Sequence, residues 1–440
     1  MDSEVQVVES SLVLPSKATP RKELWLSPLD LEEGSRGHTP VLFFYRPAAA
    51  AAADFFDVAR LKDALAKALV PFYPLAGRVD ADGDGRVRVM CSGEGALFVV
   101  ARSSLAGDDY FDDFKPSRDL RRLFLPRVEP LSVIEAIQVT FFRDGGVALG
   151  LLTHHAMADA TSAAHFLQAW AALCRDGDAA AVPDPCHDRT LLRARSPPVV
   201  DPAALAALCP ELTFSREPPG ASANEVYVLS GDQVAALKRL AGGGAGGKPA
   251  STFCALSALV WQCACVARRL PPGAEARLAF PASVRRRVRP PLPDGYFGNA
   301  IIQLHVAGAA GEVASEPLAA TAARVRAAVA RVDDEVVRSA VDHHHVNAAN
   351  GAAARRRWPA AGMLAETDVR INSWLGERLD DVDFGWGPPR VMSRAECLRA
   401  GFMYLMNGGP AAGDGAVRVV VCMEKANIRE FQRLLYERAR

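Results

Sequence analysis

Two adjacent histidines and an aspartate, His154, His155 and Asp159, carry the strongest chemical signal in the sequence. They follow an apolar run over 147–152 that predicts a buried strand, and apolar residues then recur at helical spacing over 163–173. The polar side chains are therefore predicted to lie where a rigid strand gives way to a helix, which suits catalytic groups. A histidine there can accept a proton near pH 7, because its unperturbed pKa is about 6.5.

The spacing around His155 is compatible with two interpretations. Asp159 comes four residues later, close enough in a helical turn to orient the imidazole, and the small residues Ala156, Ala158 and Ala160 leave space around it. A structural histidine at the end of a core strand would show the same pattern. The HxxxD spacing alone leaves both interpretations open.

Three other segments are dense in turn-forming and aromatic residues. Residues 73–78 read Tyr-Pro-Leu-Ala-Gly-Arg, and 296–299 read Tyr-Phe-Gly-Asn after an arginine cluster at 285–287. Residues 383–387 read Asp-Phe-Gly-Trp-Gly, where two glycines permit a tight backbone. By itself this last segment also fits a loop that plugs the core with its phenylalanine and tryptophan.

Composition sets the broad class. The chain has 440 residues, of which 50% are hydrophobic, which predicts two or three domains with large cores and excludes a disordered or fibrous protein. Lys+Arg and Asp+Glu both number 51, so there is no global basic field to attract nucleic acid or an anionic membrane. We interpret the nine scattered cysteines as free thiols of a reducing compartment. Residues 1–16 show no secretory signal or membrane span, so a cytoplasmic protein is expected.

Periodicity divides the chain into three parts. We predict an N-terminal domain over 1–175, a crossover linker over 176–222 that is rich in proline, and a C-terminal domain over 223–440. In the last part, Asp232 is predicted to cap a helix, and one helix is predicted over 316–337. His343, His344 and His345 are predicted to form a surface cluster, because consecutive residues cannot easily converge on one metal ion.

In combination the motifs resemble those of the plant BAHD acyltransferase family. HxxxD at 155–159 and DFGWG at 383–387 occur with the 73–78 and 296–299 signatures in the family's order, and the resemblance spans the chain. Condensation domains and carnitine acyltransferases share HxxxD but lack the last two motifs. Ala160 stands where glycine often follows the aspartate, and no loss of activity is expected from it.

The resemblance implies an α/β (α+β) fold and a mechanism. Two similar-sized chloramphenicol-acetyltransferase-like domains, each a mixed β-sheet flanked by helices, would enclose a channel with His155 near its middle. His155 would act as general base, and the loop carrying Trp386 would lie near the developing oxyanion. Asp159 would pair with an arginine, for which Arg285 or Arg287 matches. Asp383 and Gly385 would be architectural.

The implied substrates are an acyl-CoA and a small acceptor, without a metal or a permanently bound cofactor. Ser251 and Thr252, at a helix N-terminus, would contact the pantetheine or phosphates of CoA. The hydroxycinnamoyl transferase branch is the most similar, and Trp374 is among the segments that match it. In that branch, however, hydroxyl-bearing residues stand where this chain has Val41 and Phe43, which predicts a less polar acyl pocket that would also accept benzoyl.

The acceptor is predicted to be an amine. The arginine that binds the shikimate carboxylate in the family has no counterpart near Ala365, whereas Glu366 and Asp368 could favour a cation. The alternative, which those two acids fit better, is a solvated loop. We therefore expect a monomer that acylates a polyamine, agmatine, tyramine or tryptamine. The alternatives are transfer to a small alcohol such as shikimate, quinate or glycerol, and a catalytically silent binding paralogue.

Overall fold

Two six-stranded β-sheets organise the part of the chain that the structure, a computed structural model, describes: residues 4–47, 54–81, 87–111, 114–128, 132–215, 221–243, 248–350, 362–397, 399–409 and 412–440. The strands are β1 Val5–Val13, β2 Lys22–Leu24, β3 His38–Tyr45, β4 Arg78–Ala81, β5 Val87–Cys91, β6 Ala96–Ser103, β7 Glu135–Phe141, β8 Val147–His154, β9 Phe214–Ser215, β10 Ser222–Leu229, β11 Glu275–Ser283, β12 Ile301–Ala309, β13 Gly362–Leu364, β14 Asp368–Ser373, β15 Val391–Arg394, β16 Arg399–Ala400, β17 Phe402–Asn407 and β18 Val417–Glu424.

The helices cover these sheets and line the space between them. They are α1 Pro28–Gly34, α2 Val58–Ala68, α3 Asp108–Phe111, α4 Arg118–Phe124, α5 Ala160–Asp176, α6 Pro202–Leu205, α7 Gly231–Ala241, α8 Thr252–Ala267, α9 Ala310–Ser315, α10 Leu318–Ala330, α11 Asp334–Ala349 and α12 Lys425–Arg438. Short 3₁₀ turns lie at Tyr73–Ala76, Gly177–Ala179, Arg189–Leu192 and Leu379–Asp381. No helix among the described residues is both long and apolar enough to cross a bilayer.

Both sheets are mixed, as the fold-class prediction requires. The first has the order β1-β6-β7-β8-β3-β15, with a parallel β6–β7 pair, and the second has the order β10-β18-β17-β14-β11-β12, with β14 parallel to both neighbours. Strand β15 pairs with β3, so the second half of the chain supplies the edge strand of the first sheet. A strict division into 1–175 and 223–440 therefore misses residues 391–394.

Helix α5 follows β8 and packs on α2. Its inner face buries Phe166, Leu167 and Trp170, and the Trp170 indole donates to the carbonyl of Leu61 at 3.0 Å. Burying such side chains stabilises the fold by about 1.5–3 kcal/mol each. Because α5 is fixed along its length, its first turn is a rigid support for the HxxxD segment.

The crossover segment is more ordered than the linker prediction implies. Arg189 is fully buried, and β9 pairs with β13 of the second half, so this segment contributes to the interior. The segment is therefore packed against the rest of the protein and is not a flexible linker.

Two predictions about helix boundaries were wrong. The helix expected over 316–337 is two helices, because Asp333 caps α11 by accepting from the amide of Val336 at 3.0 Å. Helix α7 is capped by Ser230 rather than Asp232, since Ser230 and Gln233 form a reciprocal capping box. All nine cysteines lie in described segments and are free thiols.

Candidate active site

The register of β3 and β8 sets the position of the two histidines. His38 lies opposite His154 at the end of the ladder, and the chain then turns toward α5. The amide of His155 donates to the carbonyl of Gly37 at 2.8 Å. Arg189 donates to the carbonyls of Ala156 at 3.0 Å and Met157 at 2.8 Å. The turn that presents His155 is therefore held by the first sheet and by the crossover segment together.

Asn299 of the Tyr-Phe-Gly-Asn motif fixes the same turn from the second half of the chain. Its side-chain amide donates to the carbonyl of His155 at 2.8 Å and to Asp30 Oδ1 at 3.0 Å. Asp30 also caps α1 with Ser27 and pairs with Arg189 at 3.0 Å, both side chains being fully buried. Through these contacts Asn299, Asp30 and Arg189, from three separate segments, together hold the backbone of the His155 turn.

Asp159 points away from His155 and into an ion pair. Its carboxylate accepts from Arg285 at 2.6 and 2.8 Å and from the amides of Ser162 and Ala300 at 3.0 Å each. Burial alone would raise the pKa of Asp159, but the guanidinium and the two amides outweigh it and hold that pKa below its usual value. Arg287 instead donates to the carbonyl of Val332 at 2.7 Å, so its prediction as a partner of Asp159 was wrong.

His155 itself has the environment of a neutral base. Its side chain is 19% exposed, and its Nδ1 has no hydrogen-bond partner among the described residues. Burial lowers its pKa and the Arg36 guanidinium lowers it further, while Glu33 opposes them. The imidazole therefore stays unprotonated at neutral pH and can accept a proton.

His154 cannot share that role. It is buried, accepts from the amide of Ala156 at 3.3 Å and meets the ring of His38 edge-on with centroids 5.1 Å apart. Burial lowers its pKa to about 3. Of the two adjacent histidines, only His155 has a ring nitrogen that a substrate could reach.

The DFGWG loop is built on Asp383. One carboxylate oxygen accepts from the amides of Gly385 at 2.7 Å and Gly387 at 2.8 Å. Gly385 has φ +103°, and a Cβ there would meet Arg60 Nη2 at 2.7 Å, so only glycine fits. Phe384 is fully buried, edge-on to Trp170 with centroids 4.7 Å apart. Asp383 and Gly385 thus lie where an architectural role is expected.

Trp386 lies far from His155, which contradicts its prediction as a catalytic residue. Its ring stacks on Phe56 with centroids 5.1 Å apart, and the Arg60 guanidinium lies 4.8 Å from it. The adjoining loop contacts Arg175 in the last turn of α5. At 1.5 Å per residue, that turn is about 20 Å from the first turn, where HxxxD ends.

We therefore expect Trp386→Phe to leave kcat within about threefold of wild type while lowering the thermal midpoint by a few degrees, because the smaller ring keeps only part of the stacking. Thiol release and differential scanning fluorimetry measure the two quantities. A loss of kcat above about a hundredfold with an unchanged thermal midpoint would restore a chemical role for Trp386.

The predicted substrate-binding residues differ in accessibility. Val41, opposite Leu151 on β8, is half-buried on the sheet face that carries Thr39 and Thr153. Phe43 lies on the same face two residues further along β3, but it is fully buried in the core against Tyr45. Trp374 is half-buried and edge-on to Tyr404 with centroids 6.1 Å apart. Val41 and Trp374 thus have surface left for a substrate, whereas Phe43 has none.

Two cavities have different linings. One of about 520 Å³ is lined by Thr252, Leu375, Asp380 and the turn at 407–409. The other, of about 420 Å³, is lined by residues that include Glu32, Arg36, Gln303, His343, His344 and Arg370. Thr252 therefore faces an open space, while the Ser251 hydroxyl accepts from the amide of Cys254 at 3.2 Å as the N-cap of α8. Of the three histidines expected to form a surface cluster, His343 and His344 line the second cavity, whereas His345 is exposed. No group of three or more metal-ligating side chains occurs among the described residues.

The two acids predicted to attract a cation lie elsewhere. Asp368 is buried at the start of β14, 3.7 Å from Arg277, and Glu366 is exposed beside it. Arg268 donates to the carbonyls of both at 2.8 Å. Trp374 follows the other end of β14, about 20 Å away at strand rise. Neither carboxylate can therefore act at the acceptor site that was expected next to Trp374.

Glu33 is a side chain beside His155 that sequence reasoning missed. Its Oε2 lies 3.6 Å from His155 Nε2. The residues Ser27, Pro28 and Asp30 are a helix-start pattern from which α1 could have been predicted, and Asp30 and Glu33 then share one face at i, i+3. What that face meets could not be predicted, because the contact joins segments that are more than 120 residues apart.

Known proteins match this architecture over nearly its full length. Residues 3–437 match the Transferase family. Putrescine hydroxycinnamoyltransferase 1 of Oryza sativa subsp. japonica is 45% identical over 98% of this chain and 99% of its own length. Shikimate O-hydroxycinnamoyltransferase of Nicotiana tabacum is 35% identical over the same shares. The crystal structure of vinorine synthase, 23% identical, has the same fold, with a TM-score of 0.75 over 97% of this chain and 96% of its own. The chain, with its HxxxD turn and DFGWG loop, therefore belongs to the Transferase family of BAHD acyltransferases.

Proposed function

We propose that the protein transfers an aromatic acyl group, hydroxycinnamoyl or benzoyl, from CoA to an amine acceptor with His155 as the general base. One observation carries this proposal: a partly exposed, neutral imidazole lies at the turn after β8, while the neighbouring Asp159 is committed to Arg285. The 45% identity to a putrescine hydroxycinnamoyltransferase supports the amine acceptor.

In this mechanism His155 takes a proton from the acceptor as its nitrogen attacks the thioester carbonyl. Proton removal accompanies attack, because the tetrahedral species would otherwise carry a positive nitrogen and revert. The CoA thiolate then leaves and takes the proton from the imidazolium. A thiol has a pKa of about 8.5, so the thiolate departs without a metal or a covalent enzyme intermediate. Acyl-CoA is the co-substrate, and the proposed enzyme is a cytoplasmic monomer.

The two cavities suggest how the substrates enter. Thr252 and the turn at 407–409 offer hydroxyl and backbone groups, which suit the amides of a pantetheine arm. The carboxylate of Asp380 in that wall would repel phosphates, so we place the nucleotide end of CoA outside this cavity. The acceptor would then enter through the cavity lined by Gln303 and Arg370.

Transfer to a hydroxy acid such as shikimate or quinate is the second candidate. Arg36 and Arg370 line the acceptor-side cavity, and a guanidinium suits a carboxylate. Both arginines are engaged within the protein, Arg36 with Glu33 at 2.8 Å and Arg370 with Gln303 at 2.7 Å. A carboxylate would have to compete for them, which favours the amine. A silent binding paralogue would not require the accessible imidazole of His155.

An acceptor panel tests the proposed function. Thiol release from p-coumaroyl-CoA and benzoyl-CoA is measured with putrescine, agmatine, tyramine, tryptamine, shikimate, quinate and glycerol. Below the amine pKa, near 10, we expect the amide-forming rate at fixed total amine to rise up to about tenfold per pH unit between pH 7 and 9, because the amine must lose its extra proton before it attacks. The pKa of His155 is lowered, so the imidazole is already neutral in this range and its own ionisation does not add to the pH dependence of the rate. Turnover of the hydroxyl acceptors alone would overturn the proposal.

A further inference from the structure

Glu33 places a buried carboxylate next to the proposed base. Its side chain is 2% exposed, and its Oε2 is 3.6 Å from His155 Nε2. Arg36 Nε lies 2.8 Å from the same oxygen, but its N–H direction misses hydrogen-bond geometry, so Oε2 accepts no hydrogen bond from the described residues. Oε2 is therefore ion-paired with Arg36 but still has the capacity to accept a hydrogen bond from a ligand on the side that faces His155.

The rest of Glu33 is held in place. Its Oε1 accepts from Gln303 Nε2 at 3.0 Å, and Gln303 Oε1 accepts from Arg370 at 2.7 Å. Helix α1 is fixed through Asp30, which accepts from Asn299 and pairs with Arg189. Gln303 and Arg36 both line the cavity of about 420 Å³. The carboxylate is therefore preorganised between that cavity and the base.

The chemistry of N-acylation matches two adjacent proton acceptors. A primary amine that arrives as an ammonium loses two protons before it becomes an amide, whereas an alcohol loses only one. With 3.6 Å between the carboxylate oxygen and the imidazole nitrogen, one nitrogen atom can lie about 2.8 Å from both. An alcohol oxygen has a single hydrogen and would leave one of the two acceptors without a donor.

We propose that Glu33 Oε2 and His155 Nε2 together accept two N–H groups of the attacking amine, which makes Glu33 the residue that selects a cationic amine over an alcohol. The inference rests on the proposed function. In the balanced step the N–C bond forms and the C–S bond breaks. One proton passes through His155 to the CoA thiolate, and the other passes through Glu33 to water in the cavity.

Three charged side chains from neighbouring elements act on the Glu33–His155 pair. Arg36 faces both groups from the end of α1, and Arg370 of β14 faces Glu33 through Gln303 of β12. Asp159 acts on His155 from the cap of α5. Arg36 is ion-paired with Glu33, and an ammonium would add a second positive group between Glu33 and the base.

The test replaces Glu33 by its neutral isostere and follows the pH dependence. For Glu33→Gln we expect kcat/KM for putrescine at pH 7.5 to fall about 30-fold, because a charge-assisted hydrogen bond is lost. The deficit should shrink toward pH 10, where the amine arrives as free base and has one proton fewer to lose. Glu23→Gln, which removes an exposed carboxylate ten positions earlier, is the matched control and should match wild type.

The outcomes separate the two proposals. If wild type acylates putrescine and Glu33→Gln keeps at least a third of its kcat/KM, the role of Glu33 is overturned while the proposed function stands. A deficit that is constant with pH means a structural role and also overturns the inference. If wild type acylates only hydroxyl acceptors, both proposals fall. Thermal midpoints within about 2 °C of wild type show that the variants are folded.

Discussion

Replacement of His155 by alanine is expected to lower kcat about 10³-fold with a thermal midpoint close to that of wild type. General base catalysis contributes roughly 10²–10⁴-fold, and no other described side chain at this turn can replace the imidazole. His154 is turned away, and Asp159 is occupied by Arg285. The fold should tolerate the change, because the His155 side chain makes no hydrogen bond that holds an element in place.

Steady-state thiol release at saturating acyl-CoA and acceptor measures this loss, and fluorimetry measures the thermal midpoint. His165→Ala is the matched control, since His165 lies on α5 and its ring contacts the carbonyl of Pro183 at 3.0 Å. That variant should keep kcat within about twofold of wild type. A His155→Ala enzyme that retained a tenth of the wild-type kcat would contradict the mechanism.

The position of the base was predictable because its signals are local. An apolar strand, a turn and an amphipathic helix surround His155, and the structure has β8 and α5 in those places. The mixed sheets followed from the family resemblance. Strand β15 was not predictable in the same way, because four residues near the DFGWG motif carry no sign that they pair with β3 of the other half.

The partners of the site depend on long-range packing, which explains the errors. Three consecutive arginines at 285–287 look equivalent in sequence, yet the turn aims Arg285 at Asp159 and Arg287 at the carbonyl of Val332. Trp386 is in a motif typical of the family but packs at the far end of α5. Glu33 has no local pattern that distinguishes it from a solvated acid. In each case the sequence gives the chemical character of the residue but not the residue that it contacts in the fold.

Asp159→Asn is expected to destabilise the protein strongly, by about 3–5 kcal/mol, because it leaves the Arg285 guanidinium buried without its countercharge. The Arg285 side chain is only 12% exposed, so water cannot replace the carboxylate. The remaining partners of Arg285 are the Ser162 hydroxyl at 3.0 Å and the Gly298 carbonyl at 3.3 Å, which carry no charge. The measurement is the shift of the thermal midpoint, with kcat measured at a temperature where the variant is folded.

The pH dependence distinguishes this role from a catalytic one. The pKa of Asp159 is lowered in the folded protein, so its stabilisation is complete above the unfolded pKa, near 3.9, and is lost as pH falls through the folded pKa. The stability difference between wild type and Asp159→Asn should therefore be largest at neutral pH and shrink in acid. Arg285 stays charged throughout, because Asp159 more than offsets burial and raises its pKa.

A double variant tests whether Asp159 and Arg285 stabilise the protein as a pair. Asp159→Asn with Arg285→Met removes both charges, and replacing a buried pair by an apolar side chain is often neutral, so part of the lost stability should return. Folded Asp159→Asn should keep more than a tenth of the wild-type kcat, since the carboxylate touches no reacting atom and the Asn299 bond to the His155 carbonyl remains. If the single variant were as stable as wild type but inactive, Asp159 would take part in the chemistry. The structural role of Asp159 and the catalytic role of His155 differ in what can repair their loss. Better packing can restore the stability lost with Asp159, whereas the activity lost with His155 returns only with another proton acceptor.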